Sequence, residues 1–182
     1  MLSTSKTLPP GSVRLVNLAS IGHFSAPKGG INFADTSLPN NSTQNRYGQS
    51  KLANILHAKT LNNLYGPSSP NARAGNGEIL TAAVHPGLVA TNLANGIESV
   101  AMKKFWGVLR LKLFRLYADA DTGSWTSVFC AASPDMKAEQ SGTYFVRRAK
   151  EGWSSSSAKD MGLAERLESW TNIEMKKEGW VE

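Results

Sequence analysis

The hydrophobic pattern divides the chain into short apolar runs of strand length, separated by stretches with helical spacing. Ser12-Val-Arg-Leu-Val-Asn-Leu18 is apolar and bounded by Pro10-Gly11 and Gly22, which reads as a mostly buried strand. The polar stretch that follows carries Pro27, Gly29, Gly30, Pro39, Asn40 and Asn41 and reads as a loop insertion. Over about 47–64 the apolar positions Leu52, Ile55, Leu56 and Leu64 recur at helical spacing, and Gly66-Pro67 ends the helix. A second strand over 78–84 stops at His85-Pro86-Gly87. Helical patterning resumes over about 98–117 and 121–132, a short strand covers 142–146, and a last helix runs over about 159–177. In that last helix Leu163, Leu167, Trp170 and Ile173 form one apolar stripe. Strands separated by helices form parallel βαβ units, because a parallel pair needs a long crossover. The fold class is α/β.

Composition narrows the picture. The 182 residues suffice for about one domain. Hydrophobic residues make up 41% and charged residues 19%, which excludes both a disordered chain and a membrane bundle. A single cysteine, Cys130, excludes an intrachain disulfide framework and fits a reducing compartment. His23, His57 and His85 are scattered, so no metal site is expected. The first residues contain no apolar run of the kind that directs secretion, and the expected location is cytoplasmic. The net charge of +6 permits a polyanion, but no basic motif with interleaved aromatics points to nucleic acid. The densest basic stretch, over about 100–117, holds Lys103, Lys104, Arg110, Lys112 and Arg115 among Phe105, Trp106 and several leucines. Its charges exclude a spanning helix. It either covers a core or pocket or rests peripherally on an anionic membrane.

The chemistry sits elsewhere. Tyr47-Gly-Gln-Ser-Lys51 opens a helix, and residues i and i+4 share one helical face. An ammonium one turn from a phenol favours the phenolate, which suits a general acid/base acting on an alcohol or carbonyl. Chance occurrences of this pair on surface helices are common, so context has to support it. Ser20 lies just past the first strand, and ligands in parallel sheets bind beyond the carboxyl ends of strands. His85-Pro86-Gly87-Leu-Val89-Ala-Thr91 follows the second strand in the same way. His85 itself reads as a turn or pocket-lining residue. Arg147-Arg148 reads as a solvated strand end or a contact for a cofactor phosphate. Ser3 with Lys6 and Ser25 with Lys28 have the spacing of some acyl enzymes but none of the companion motifs.

The series Leu-Val-Asn-Leu-Ala-Ser-x-Gly, Tyr-x-x-x-Lys-Leu-Ala-Asn and His-Pro-Gly-x-Val-x-Thr resembles the short-chain dehydrogenases/reductases, most closely their retinol-dehydrogenase-like and fungal branch. The resemblance covers about 12–146. It implies a Rossmann-type domain with a doubly wound parallel sheet, of which this chain carries the C-terminal half plus the substrate-binding helices. It implies an NAD(P)-dependent interconversion of an alcohol and a ketone or aldehyde. Ser20 would bind the substrate oxygen, Tyr47 would exchange a proton with it, and Lys51 would hold the nicotinamide ribose. Pro86, Gly87, Val89 and Thr91 would complete the cofactor contacts. The cofactor would be NADP, with NAD as the alternative.

The family's Gly-rich turn between its first strand and helix has no counterpart, and Gly75-Asn76-Gly77 precedes a strand instead of joining one to a helix. The expected division is a disordered or loop leader over 1–11, the C-terminal part of a dehydrogenase domain over 12–150 with its substrate segment at about 92–120, and a C-terminal helical extension over 151–182. With strands missing beside it, the strand over 12–18 would be an open edge available for pairing with another chain. A truncated remnant, inactive alone or active only in association, is the alternative to an active oxidoreductase.

Overall fold

The computed structural model describes residues 1–89, 117–118 and 120–181. The basic stretch over 100–117 apart from residue 117, most of the 92–120 segment, and Thr91 lie outside these residues. Six strands and six α-helices follow in chain order among the described residues: α1 (Leu2–Ser5), β1 (Arg14–Leu18), α2 (Thr43–Tyr65), α3 (Pro70–Arg73), β2 (Leu80–Val84), β3 (Leu88–Val89), β4 (Tyr117–Ala118), α4 (Ala120–Ala132), β5 (Thr143–Val146), β6 (Lys150–Glu151), α5 (Ser156–Lys159) and α6 (Met161–Lys177).

The main sheet has the order β1-β2-β5-β6. β1 runs parallel to β2 with Arg14 opposite Leu80 and Leu18 opposite Val84. β2 runs parallel to β5, with Ala82 opposite Thr143 and Val84 opposite Phe145. β6 is antiparallel to β5, a short strand that the sequence pattern did not reveal. β3 and β4 form a separate parallel pair.

β2 explains the layering. All five of its residues are buried, as expected of a parallel strand covered on both faces. Ala83 joins one core with Leu52, Ile55 and Leu56 of α2 and Leu163 and Leu167 of α6. Leu80, Ala82 and Val84 alternate to the other face and pack with Cys130 of α4 and Phe145. Helices thus cover both faces, giving the doubly wound α/β arrangement. Leu52, Ile55 and Leu56 are wholly buried, each contributing about 1.5–3 kcal/mol of transfer free energy.

Two apolar positions depart from the helical stripes. Leu64 is 42% exposed and Ile173 is 54% exposed, so the α6 stripe ends at Trp170, which packs on the core with Phe33. α6 packs along α2, and beyond Trp170 its stripe position Ile173 faces solvent. α2 starts four residues before the tyrosine, with the Ser42 hydroxyl accepting from Asn45 N–H. The Asp160 carboxylate caps α6 in the same way, accepting from Leu163 N–H.

Candidate active site

The site forms at the carboxyl end of β1. Ser20 follows two residues after the strand and caps a 3-10 turn over Ile21–Ser25, its Oγ accepting from Gly22 N–H at 3.1 Å. Because that oxygen accepts from the backbone, the hydroxyl proton remains available to a ligand. The first turn of α2 packs against this 3-10 turn. A Cβ on Gly22 would sit 2.6 Å from Tyr47 Cε1 and 3.5 Å from Ser20 Oγ, so the phenol ring and the serine hydroxyl flank the same glycine. Tyr47 is 41% exposed, which leaves its phenol open to solvent or substrate. Lys51 lies one turn on, its Nζ 5.6 Å from the Tyr47 ring centroid, within cation–π range. Ser20, Tyr47 and Lys51 are therefore brought together as the spacing and the resemblance predict.

Lys51 also fixes the strand to the helix. Its Nζ donates to Leu18 O at 2.9 Å, and Asn54 Nδ2 donates to the same carbonyl at 2.9 Å. Asn17 Nδ2 returns a bond to Asn54 O at 3.0 Å. An ammonium carries three protons, so Lys51 keeps two for a vicinal diol such as a ribose. These groups fit the nicotinamide–ribose end of a dinucleotide. The pyrophosphate end finds less: among the described residues no glycine-rich turn joins a strand to a helix, and Gly75 and Gly77 adopt positive φ in the loop leading into β2.

Three residues to which the sequence assigned no role hold this arrangement in place. His23 is 1% exposed. Its Nε2 accepts from Ser155 N–H at 3.1 Å, which leaves the proton on Nδ1 to donate to Ser20 O at 2.7 Å. Burial lowers the His23 pKa, opposed by the bond to Ser20, and keeps the ring neutral. Gly48 permits the close approach of α2: a Cβ there would lie 2.5 Å from Ser25 C and 2.6 Å from Ala26 N. Gln49 closes the outer loop, accepting from Asn32 N–H at 2.8 Å and donating to Thr36 O at 3.0 Å. The Tyr-Gly-Gln-Ser-Lys string contains Gly48 and Gln49, but nothing in the spacing says what they touch.

The second sequence motif lies at the end of β2. His85 N–H donates to Phe145 O at 2.8 Å, and burial followed by the nearby His23 lowers the His85 pKa. Gly87 has φ +94, and a Cβ there would run into the Arg147 side chain. Arg147 is thus packed on the Pro86-Gly87 turn, whereas Arg148 is exposed. The backbone of Val89 pairs with Ala118 in the second sheet. Tyr144 reaches the back of the site from β5: its hydroxyl is buried without a hydrogen-bond partner, and burial, together with Tyr47, pushes its pKa up to about 12.

No protein-family model matches the chain. Among curated proteins, it is 48% identical over 168 residues to the short-chain dehydrogenase/reductase drtF of Aspergillus calidoustus, covering 92% of this chain and 51% of that protein. An uncharacterized oxidoreductase of Schizosaccharomyces pombe is 35% identical over 153 residues, 82% of this chain and 41% of its own length. The chloroplastic short-chain dehydrogenase TIC 32 A of Brassica napus is 34% identical over 134 residues, 73% and 38% of the two chains. A solved structure of an uncharacterized protein from Mycobacterium paratuberculosis shares the fold, with a TM-score of 0.60 at 24% identity over 91% of this chain and 51% of that one. Over the length matched, the chain belongs to the short-chain dehydrogenase/reductase family. It spans about half the length of the curated relatives it matches. The relatives do not single out the retinol-dehydrogenase-like branch.

Proposed function

We propose that the chain carries the proton-transfer half of an NAD(P)-dependent oxidoreductase that interconverts an alcohol and a ketone or aldehyde. The observation that carries this reading is the Ser20–Tyr47–Lys51 cluster at the carboxyl end of β1. The Ser20 hydroxyl donates to the substrate oxygen. Tyr47 gives its proton to that oxygen during reduction and takes it back during oxidation. Lys51 stabilises the negative charge that Tyr47 then bears, and its two spare N–H groups hold the cofactor ribose. A bound nicotinamide supplies the hydride. Pro86, Gly87, Val89 and Thr91 are assigned to its carboxamide and phosphates by the family resemblance, and NADP is preferred over NAD on the same basis. A cytoplasmic location belongs to this reading; among the described residues no helix is long and apolar enough to cross a membrane.

The test compares NADPH-dependent carbonyl reduction by three proteins: this chain, its Tyr47→Phe variant, and the chain joined to the N-terminal half of one of its relatives. Reduction that requires Tyr47 in either unmutated form supports the reading. Equal rates with and without the phenol refute it.

A second reading has its own observation. β1 is paired on one side only among the described residues, and Leu18 at its end is 53% exposed. In this reading the chain does not bind a dinucleotide alone and acts through association along that edge. A cooperative thermal transition of the isolated chain, raised by added cofactor, refutes it.

A further inference from the structure

A polar cleft of about 450 Å³ lies along the last turns of α2, where it meets β5, β6 and α5. Lys59 is two helical turns beyond Lys51, about 12 Å along the axis at 1.5 Å per residue, and Tyr144, which reaches the back of the catalytic cluster, also lines this cleft. Its lining is unbalanced in hydrogen-bonding capacity. Lys59, Lys159, Asn62, Thr143 and Ser154 all line it, and among the described residues none of these side chains makes a hydrogen bond. They offer two ammoniums, an amide and two hydroxyls. The one acidic lining residue is Glu151, and it lies more than 4 Å from either ammonium, because the ion pair among the described residues is Lys177 with Glu174.

The two lysines also oppose each other. Burial, and then the charge of Lys159, lower the pKa of Lys59. Ser154 is 8% exposed yet keeps an unpartnered hydroxyl towards the cleft. A half-buried ammonium facing a second one, with no carboxylate in ion-pair contact, is a cost to the folded chain that a bound anion would lower.

We propose that this cleft binds a small phosphate-bearing anion, held between the ammoniums of Lys59 and Lys159 and seated on the amide of Asn62 and the hydroxyls of Thr143 and Ser154. Phosphate suits the donor set because its unprotonated oxygens accept several hydrogen bonds at once, and charge-assisted bonds to ammoniums are roughly twice as strong as neutral ones. The cleft admits inorganic phosphate or the head of a phosphomonoester. This site is independent of the hydride-transfer reading.

The experiment titrates the full chain with inorganic phosphate, and separately with glycerol phosphate, at fixed ionic strength, following heat and the ³¹P line width. Saturable one-site binding is expected, weakened about tenfold or more in Lys59→Gln and in Lys159→Gln, where tenfold corresponds to 1.4 kcal/mol. In phosphate-free buffer both variants should melt at or above the temperature of the parent chain, because each removes the repulsion. Tighter binding of glycerol phosphate identifies a phosphomonoester site, and equal or weaker binding identifies a site for the free anion. A response that rises linearly and equals that of chloride overturns the proposal. So does binding unchanged in both variants, or a lower melting temperature of either variant without phosphate.

Discussion

At the scale of single residues, the site depends on small groups in tight places. Tyr47→Phe keeps the ring against Gly22 and removes the proton, so kcat in the cofactor-complemented protein should fall roughly 10²–10⁴-fold, measured by NADPH oxidation, with the melting temperature unchanged. Gly22→Ala should cost activity without comparable cost in stability. The added methyl meets an exposed ring that can swing aside, and swinging it aside parts the phenol from Ser20. Cys130 makes the opposite case. It is 1% exposed and burial pushes its thiol up to about 12, so a thiol reagent such as dithionitrobenzoate should label it only when the chain unfolds. Ser20, Tyr47 and Lys51 were legible because a fixed spacing puts each in a known place: i and i+4 on a helix, and two residues past a strand. His23 was not legible. Its partners are the carbonyl of Ser20 and the amide of Ser155, the latter 132 residues away, and no local pattern records such a contact.

At the scale of elements, the contact that matters is α2 against the 3-10 turn after β1. Gly48 sits mid-helix, where alanine is ordinarily favoured by about 0.5–1 kcal/mol. Here Gly48→Ala should instead destabilise by about 1–3 kcal/mol, because the methyl would press into the backbone of Ser25 and Ala26. Urea denaturation reads that sign directly. Strand and helix positions were largely readable, since burial of β2 on both faces and the α2 and α6 stripes follow from residue pattern. The ends were less so. Ser42 moves the start of α2 ahead of its apolar residues, and β6 is too short and polar to carry any period. Ile173 belongs to the stripe by spacing but is more than half exposed, past the point where Trp170 meets the core.

At the scale of the whole molecule, two features set behaviour in solution. The first is the outer edge of β1. Ala19 N–H donates to Val84 O and Val13 O accepts from Leu80 N–H, so the odd-numbered residues of β1 face β2 and the alternate ones face outward. Lys51 and Asn54 already occupy the outward carbonyl of Leu18, which leaves the backbone of Arg14 and Val16 as the unpaired outward positions among the described residues. Val16→Pro removes an outward N–H without touching the ladder to β2. It should therefore abolish any concentration-dependent association seen by sedimentation while the thermal transition persists. The second feature is the pair His23 and His85, both with pKa lowered from 6.5. The unfolded chain takes up these protons first as pH falls, so stability is full above about pH 6.5 and declines below it. Urea midpoints at pH 7.5 and 5.5 should differ in that direction, and His23→Gln should flatten the slope.

The hydrogen bond from Ser155 to His23 has a consequence for how the polypeptide tolerates shortening. Everything after β6 looks like trimming, a tail added once the sheet is finished. Yet that tail props up the imidazole on which Ser20 leans, so clipping it off would slacken the proposed site from the rear while leaving Ser20, Tyr47 and Lys51 themselves untouched.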